Sequence, residues 1–214
     1  MQVQRESAVL DIKTPAQLWK FVFAQRGPQV LFVTLVLASS VKAAVWGWSA
    51  VELLVVGVVF LGRGFIEWGV HCYIMHAAPL PLLGLRIKTS IYYMHQHHHQ
   101  NPDDVFGVLF KGRSVAALLV AVFSVSFLIS FQLAMVLLVC VAMCLFMYEL
   151  FHVASHSDLD LKTCYFRSIV DLHRRHHALQ GKQCFGVSSS VADRLFNSAG
   201  SAMPGMARPC DRHD

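Results

Sequence analysis

The sequence predicts an all-α integral membrane protein with four transmembrane helices, and two observations carry that reading. The 214-residue chain is 55% hydrophobic and only 14% charged, whereas a soluble domain carries about a quarter charged residues. Ten of its twelve histidines recur at helical spacings beside the apolar runs. The length allows one domain, expected to span residues 1–196, with a disordered tail at 197–214 where Ser, Gly and Pro dominate.

Along the chain, the first 27 residues do not read as a secretory signal, because Arg5, Glu6, Asp11 and Lys13 interrupt them. Thr14-Pro15-Ala16-Gln17 reads as a helix start: Thr14 caps, Pro15 suits the first position and Gln17 completes a capping box. The greasy segment that follows is either an interfacial helix or an extension of the first span. A span needs about 20 apolar residues. Residues 29–48 supply one, with Lys42 near the end free to snorkel, and 51–70 supply a second, with Arg63 and Glu67 in its last turns. A Pro/Gly-punctuated stretch runs from Ala77 to Gly84. From Ser114 to Tyr148 no residue is charged. That run is too long for one span and fits two, about 114–130 and 132–150, broken near Ser130–Gln132.

Four spans put both termini on one side. Of the 18 Lys and Arg residues, all but Lys42 then share that side, which the positive-inside rule makes cytosolic. A three-span arrangement would split the basic segments between two faces. The expected location is multi-pass in a bacterial inner membrane or the endoplasmic reticulum. The net charge of +5 is explained by this topology; the basic residues form no single patch, and no nucleic-acid partner is expected. The six cysteines contain no C-x-x-C pair and read as reduced packing residues rather than a disulfide frame or zinc site.

The histidines fall into four groups: His71 and His76 (H-x4-H), His95, His98 and His99 (H-x2-H-H), His152 and His156 (H-x3-H), and His173, His176 and His177 (H-x2-H-H). At about 100° per residue, spacings of three and four share a helix face, while His97 points away from its neighbours. The spacing of five diverges by roughly 140° on an ideal helix, so His71 and His76 require a bent or frayed helix end, which Ala77-Ala78-Pro79 favours. All four groups lie on the cytosolic side of the four-span arrangement. Ten imidazoles exceed the four to six ligands of one ion and suit two; imidazole accepts iron, zinc, copper or nickel. His97 and His213 are left out of this ligand set. Glu67 and Glu149, four and three residues before His71 and His152, either orient those ligands or mark where helices leave the membrane. Tyr92, Tyr93 and Tyr148 read as packing or interface residues.

These blocks together resemble the fatty acid hydroxylase / sterol desaturase superfamily of histidine-rich membrane di-metal oxygenases, over roughly Phe65 to Phe196. The resemblance rests on Glu67-Trp68-x-x-His71-x4-His76, on His95-x2-His98-His99 followed by Asn101-Pro102-x-Asp104, and on Tyr148-Glu149-x-x-His152-x3-His156. It continues through His173-Arg174-Arg175-His176-His177, Phe185-Gly186-Val187-Ser188-Ser189 and Asp193-Arg194-Leu195-Phe196. The last two blocks look most like the fatty acid hydroxylase branch; the carotenoid hydroxylase branch usually has a longer third spacing. The chain departs from the pattern at Asn197-Ser198, where the family often has Gly-Thr.

The resemblance implies a cytosolic helical cap holding two iron ions over the membrane helices, and O2-dependent hydroxylation of a fatty acyl chain. A carotenoid or sterol hydroxylase or desaturase is the alternative, and a non-enzymatic histidine-rich metal-binding protein a remote one, since a metal carrier needs polar residues crossing the membrane. No side chain activates O2, so a redox metal is required. Zinc has no redox chemistry, yet imidazoles bind it readily, so purified protein can carry zinc. No G-x-G-x-x-G, iron–sulfur spacing or cytochrome b5-like region occurs in the chain. A separate electron donor, cytochrome b5-like or ferredoxin-like, is therefore implied, with Arg86, Lys88, Arg174 and Arg175 as candidates for its docking surface.

Overall fold

The computed structural model describes residues 10–76, 80–82 and 85–87 (these six as backbone), 88–102, 104 and 109–200. Its elements follow the punctuation of the sequence. Helix α1 is Pro15–Ala24, opened by Thr14 and Gln17: the Gln17 amide donates to Thr14 Oγ1 at 3.3 Å and the Thr14 amide to Gln17 Oε1 at 3.0 Å. Gln25, in an extended conformation, ends it, so α1 is separate from α2, Arg26–Val45. Helix α3, Ala50–Val70, starts on a second capping box between Ser49 and Glu52 and runs into a single π-helical turn, His71–Met75. Helix α4 is Ser90–Gln100, α5 Gly112–Phe127, α6 Phe131–Ser155, α7 Cys164–Ala178 and α8 Val191–Leu195.

One feature departs from an all-α chain. Leu80–Leu82 pairs antiparallel with Leu85–Ile87, with Pro81 opposite Arg86. In a two-stranded ribbon both strands are edges, where a proline lacking its N–H is tolerated, and the short apolar runs around Gly84 supply the strands. Ala77 to Pro79 lie outside the described residues.

Among the described residues, three helices are long and apolar enough to cross a membrane: Arg26–Val45, Ala50–Met75 and Phe131–Ser155. The uncharged run does break, at 128–130, where the Ser130 hydroxyl caps α6 by accepting from the Leu133 amide at 3.0 Å. The shorter apolar piece, α5, has 16 residues; it rises about 24 Å, less than the roughly 30 Å hydrocarbon core. Large apolar side chains stand exposed along α2 (Val33, Leu37), α3 (Leu54, Val58, Leu61) and α5 (Val120, Val125), a pattern that suits lipid rather than water.

Helix α6 is the axis of the molecule. Its Met135, Val139, Ala142 and Phe146 form one core with Leu18 and Val22 of α1, Leu31 and Ala38 of α2, and Val115 and Leu119 of α5. Lys42 does not snorkel outward. It is buried at the α2–α3 turn, where its ammonium donates to the Gly47 carbonyl at 2.6 Å and to Glu52 at 3.0 Å, so a membrane-end cation is neutralised internally. At the opposite end, Gly27 lets α2 approach so closely that an added Cβ would run into the Phe110 carbonyl and sit 3.1 Å from a Glu149 oxygen. Backbone cannot yield as a flexible side chain can. Gly27→Val is therefore expected to cost about 1–3 kcal/mol by overpacking. A thermal unfolding midpoint in detergent equal to that of the parent chain would show this contact to be slack.

Candidate metal centre

Each histidine group occupies a helix end that the bundle turns to a common point. His71 and His76 bracket the π turn. There the His76 amide donates to the His71 carbonyl at 3.0 Å, an i→i+5 bond. In an α-helix the i→i+4 bond stacks residues four apart; the π turn stacks residues five apart instead, which resolves the divergence that the H-x4-H spacing would otherwise impose. Helix α4 turns His95 and His98 inward and leaves His97 exposed, 3.9 Å from Asp104. Helix α6 ends in His152 and His156. Helix α7 buries Ile169, Leu172, His173 and His176 along one stripe.

The ten imidazoles resolve into two groups of five: His71, His76, His95, His99 and His176 in one, and His98, His152, His156, His173 and His177 in the other. Within each group the potential ligand nitrogens lie within 4.8 Å of one another. Both H-x2-H-H triplets are split the same way. The pair four apart stays together (His95 with His99, His173 with His177), and the remaining residue, His98 or His176, joins the opposite group. The groups abut, since His99 and His177 stack at 4.4 Å between ring centroids.

The chemistry of this arrangement suits a cation. In the first group Nε2 faces Nε2 throughout: His71 to His95 at 2.9 Å, His95 to His76 at 2.8 Å, His76 to His176 at 3.0 Å and His176 to His99 at 3.0 Å. The Nδ1 of His71 lies 2.6 Å from the Phe185 carbonyl, and that of His176 2.7 Å from the Gln183 carbonyl. A carbonyl only accepts, so in both rings the proton is on Nδ1 and a neutral ring presents a lone pair at Nε2. Converging lone pairs repel unless protons or a metal lie among them. A second proton on a ring is disfavoured. Burial pushes His76 and His98 down to about 4, burial and then the neighbouring His176 push His99 down to about 2, and burial outweighs the Gln183 carbonyl to leave His176 at about 3. His95, His156, His173 and His177 are held low by burial first and by neighbouring rings second. Neutral, convergent, buried imidazoles fit divalent transition metals.

Residues 179–200, to which the sequence assigned no role, position the first group. Gln180, Gly181 and Cys184 have φ of 54°, 73° and 62°, left-handed values at which strain gathers near ligand sites. A Cβ on Gly181 would lie 2.2 Å from His76 Cε1, a clash with the ring. Asp193, fully buried, accepts from the Phe185 amide at 2.9 Å and the Gly186 amide at 2.6 Å. Both oxygens of Glu67 are taken by Ser188, from its amide at 2.9 Å and its hydroxyl at 2.6 Å, while Arg63 donates to the Ser188 hydroxyl at 2.9 Å and carbonyl at 3.2 Å. Glu67 thus reaches the site through this loop and not through the histidine on its own helix. The Phe185-to-Ser189 and Asp193 blocks were visible in the sequence as motifs, but no spacing rule linked them to His71.

Asn197-Ser198 turns out to keep the physical properties of the expected Gly-Thr. Asn197 adopts φ 54°, which Asn tolerates better than most residues. The Ser198 hydroxyl accepts from Trp68 Nε1 at 2.8 Å and donates to Asp193 at 2.7 Å. Residues 197–200 are therefore tied to the site, while 201–214, including His213 and Cys210, lie outside the described residues. Glu149 accepts from the Phe110 amide at 2.9 Å and packs on Gly27. Arg174 donates to the Ser155 and Ser157 carbonyls at 3.0 and 2.5 Å, so this arginine fastens α7 to the end of α6. Arg175 reaches the Ala199 carbonyl at 3.5 Å, and Lys88 donates to the Tyr92 hydroxyl at 2.6 Å. The cysteines Cys72, Cys140, Cys144, Cys164 and Cys184 are free.

Two predictions follow from this geometry. Gly181→Ala displaces His76 and is expected to lower metal content, read by elemental analysis of the purified protein, while a parental metal content would mean that the loop yields. The second concerns acid. In the unfolded chain imidazoles titrate near 6.5, but His76 and His98 in the folded, metal-free protein take a proton only near 4. Between those values the unfolded chain binds more protons, so stability present above pH 6.5 is lost progressively as the pH falls towards 4. The unfolding midpoint of metal-free protein is expected to drop steadily across pH 7, 6 and 5; a flat profile contradicts it.

The comparisons with known proteins come to one finding. No curated protein and no solved structure matches the chain. The family model described as fatty acid hydroxylase matches residues 56–198, two-thirds of the chain, from the middle of α3 to Ser198. That match takes in all ten clustered histidines together with the Phe185, Ser188 and Asp193 loop that positions them, and the chain belongs to the fatty acid hydroxylase family.

Proposed function

We propose that this protein is an O2-dependent lipid hydroxylase acting on a fatty acid or the fatty acyl chain of a membrane lipid, with the ten clustered histidines as ligands to two iron ions. The observation that carries this reading is the pair of five-imidazole groups at the ends of long apolar helices, in a chain of the fatty acid hydroxylase family. Iron bound there would supply O2 activation for insertion into an unactivated C–H bond, which no amino-acid side chain provides.

The chain's own residues do the rest. The Phe185 and Gln183 carbonyls hold the Nδ1 protons of His71 and His176 and so keep Nε2 free for metal. Burial of His71, His95, His98, His152, His156, His173 and His176 keeps water from most of the rings. Glu67, through Ser188, and Glu149, through Phe110, brace the backbone around the ligands as orienting groups. The exposed apolar face of α3 leads directly into the π turn bearing His71 and His76, so a lipid tail can approach along it from the bilayer with its head group at the interface. The four-span topology, with both termini and the histidines on the cytosolic side, gives that head group the basic face. A separate donor supplies the electrons. Arg86, Lys88, Arg174 and Arg175 are the candidate charges for receiving it.

The test is transfer of ¹⁸O from labelled O2. With iron-loaded protein, a chemically competent electron donor and a total lipid extract, the label is expected in a hydroxyl on a fatty acyl methylene. Label confined to carotenoids or sterols would assign the substrate to another branch of the superfamily. Absence of label from every lipid, with the metals shown to be reduced, would sink the oxygenase reading.

A further inference from the structure

We propose that the two metal sites are not equivalent: the loop at residues 183–188 makes the His71 group a preorganised, tight site and leaves the His98 group a weaker, labile one. The inference rests on the reading of both groups as metal sites and concerns what holds their rings.

In the His71 group, two rings have their Nδ1 protons fixed by carbonyls of one loop, Phe185 for His71 and Gln183 for His176. Each ring is thereby locked in one tautomer and one orientation before metal arrives. The loop cannot drift, because Ser188 is clamped by Glu67 and Arg63 from α3 and the Phe185 and Gly186 amides are held by Asp193. Its far end packs Gly181 against His76. Three of the five ligands therefore rest on one braced segment.

Two rings of the His98 group lack this support. The Nδ1 atoms of His98 and His173 are buried without a hydrogen-bond partner. When metal takes Nε2, the proton must sit on that Nδ1, where nothing accepts it, so binding leaves a buried donor unsatisfied. Removing an outer partner of a ligating histidine typically weakens metal binding by about 10–100-fold. A difference of that order between the two sites is expected from the structure.

The residues responsible on the tight side are positioning residues, Ser188, Glu67 and Asp193, none of which touches the ligand nitrogens. Their importance shows as selectivity. Loosening the loop should weaken one site and spare the other, which general destabilisation of the fold would not do.

The experiment is a titration of the full-length, metal-stripped protein in detergent with Co(II), followed by visible absorption and by bound-metal analysis. Two phases of one equivalent each are expected, separated by at least about tenfold in affinity. His173→Ala should remove the weak phase alone, and His71→Ala should abolish the tight phase, which assigns the phases to sites. Ser188→Ala, a small truncation, should weaken the tight phase by about tenfold and leave the weak phase in place; Glu67→Gln should do the same less severely. One phase of two equal equivalents would overturn the proposal while leaving the di-metal reading intact, as would a Ser188→Ala effect equal on both phases or absent from both. No cobalt binding at all would overturn both.

Discussion

The structure turns on the repulsion among imidazole nitrogens crowded at two points. Burial disfavours the charged rings that a second proton on each would make. Such an arrangement is unfavourable by itself and becomes favourable around a cation. Holding it in place needs a scaffold whose other contacts outweigh that repulsion, and the apolar bundle centred on α6 provides it. Phe146, Ala142 and Val139 lock α6 to α1, α2 and α5, and the last turns of the same helix carry His152 and His156.

Membrane helices suit this task because their length is set by the bilayer and their ends cluster at one depth. The histidines of the π turn and of α6 directly continue such helices, while those of α4 and α7 do not. Helix α7 is fastened instead by Arg174 to the Ser155 and Ser157 carbonyls, so its histidines are registered against α6 by charge-assisted bonds at the free end of the bundle. The N-terminal segment adds to the same spot, where the Leu10 amide donates to the His156 carbonyl at 3.1 Å.

The loop before α8 links membrane helix to metal site by another route. Arg63 and Glu67 lie in the apolar helix α3, where charges are costly, and their compensation is mutual proximity and the shared Ser188. Polar groups in such a place mark function more reliably than they would on a soluble surface. Here they serve the backbone carbonyls that orient His71 and His176. Gly64 permits the close approach, since a Cβ on it would lie 2.5 Å from Ser189 Cβ. The loop is thus docked on the helix through a glycine and through Ser188, which both Arg63 and Glu67 bond.

Much of this protein was legible in its sequence, because the relevant signals are local. Capping boxes at Thr14, the break in the uncharged run near Ser130, the ten clustered histidines and the outward-facing His97 all follow from helix geometry, which depends only on spacing. Other features required the tertiary structure. Spacing could say that His95, His98 and His99 share a face, but not that His98 crosses to the partners of His156 while His95 and His99 stay with His71; that choice depends on where α6 and α7 lie. The π turn that aligns His71 with His76, the small hairpin at 80–87, and the burial of Lys42 against Gly47 were likewise hidden. So was the work of Ser188 and Asp193, which brace the loop that holds His71, more than a hundred residues away. Periodicity fixes which side chains share one helix face, whereas the sorting of histidines into two groups, and of carbonyls to rings, is made by contacts between segments that no local rule relates.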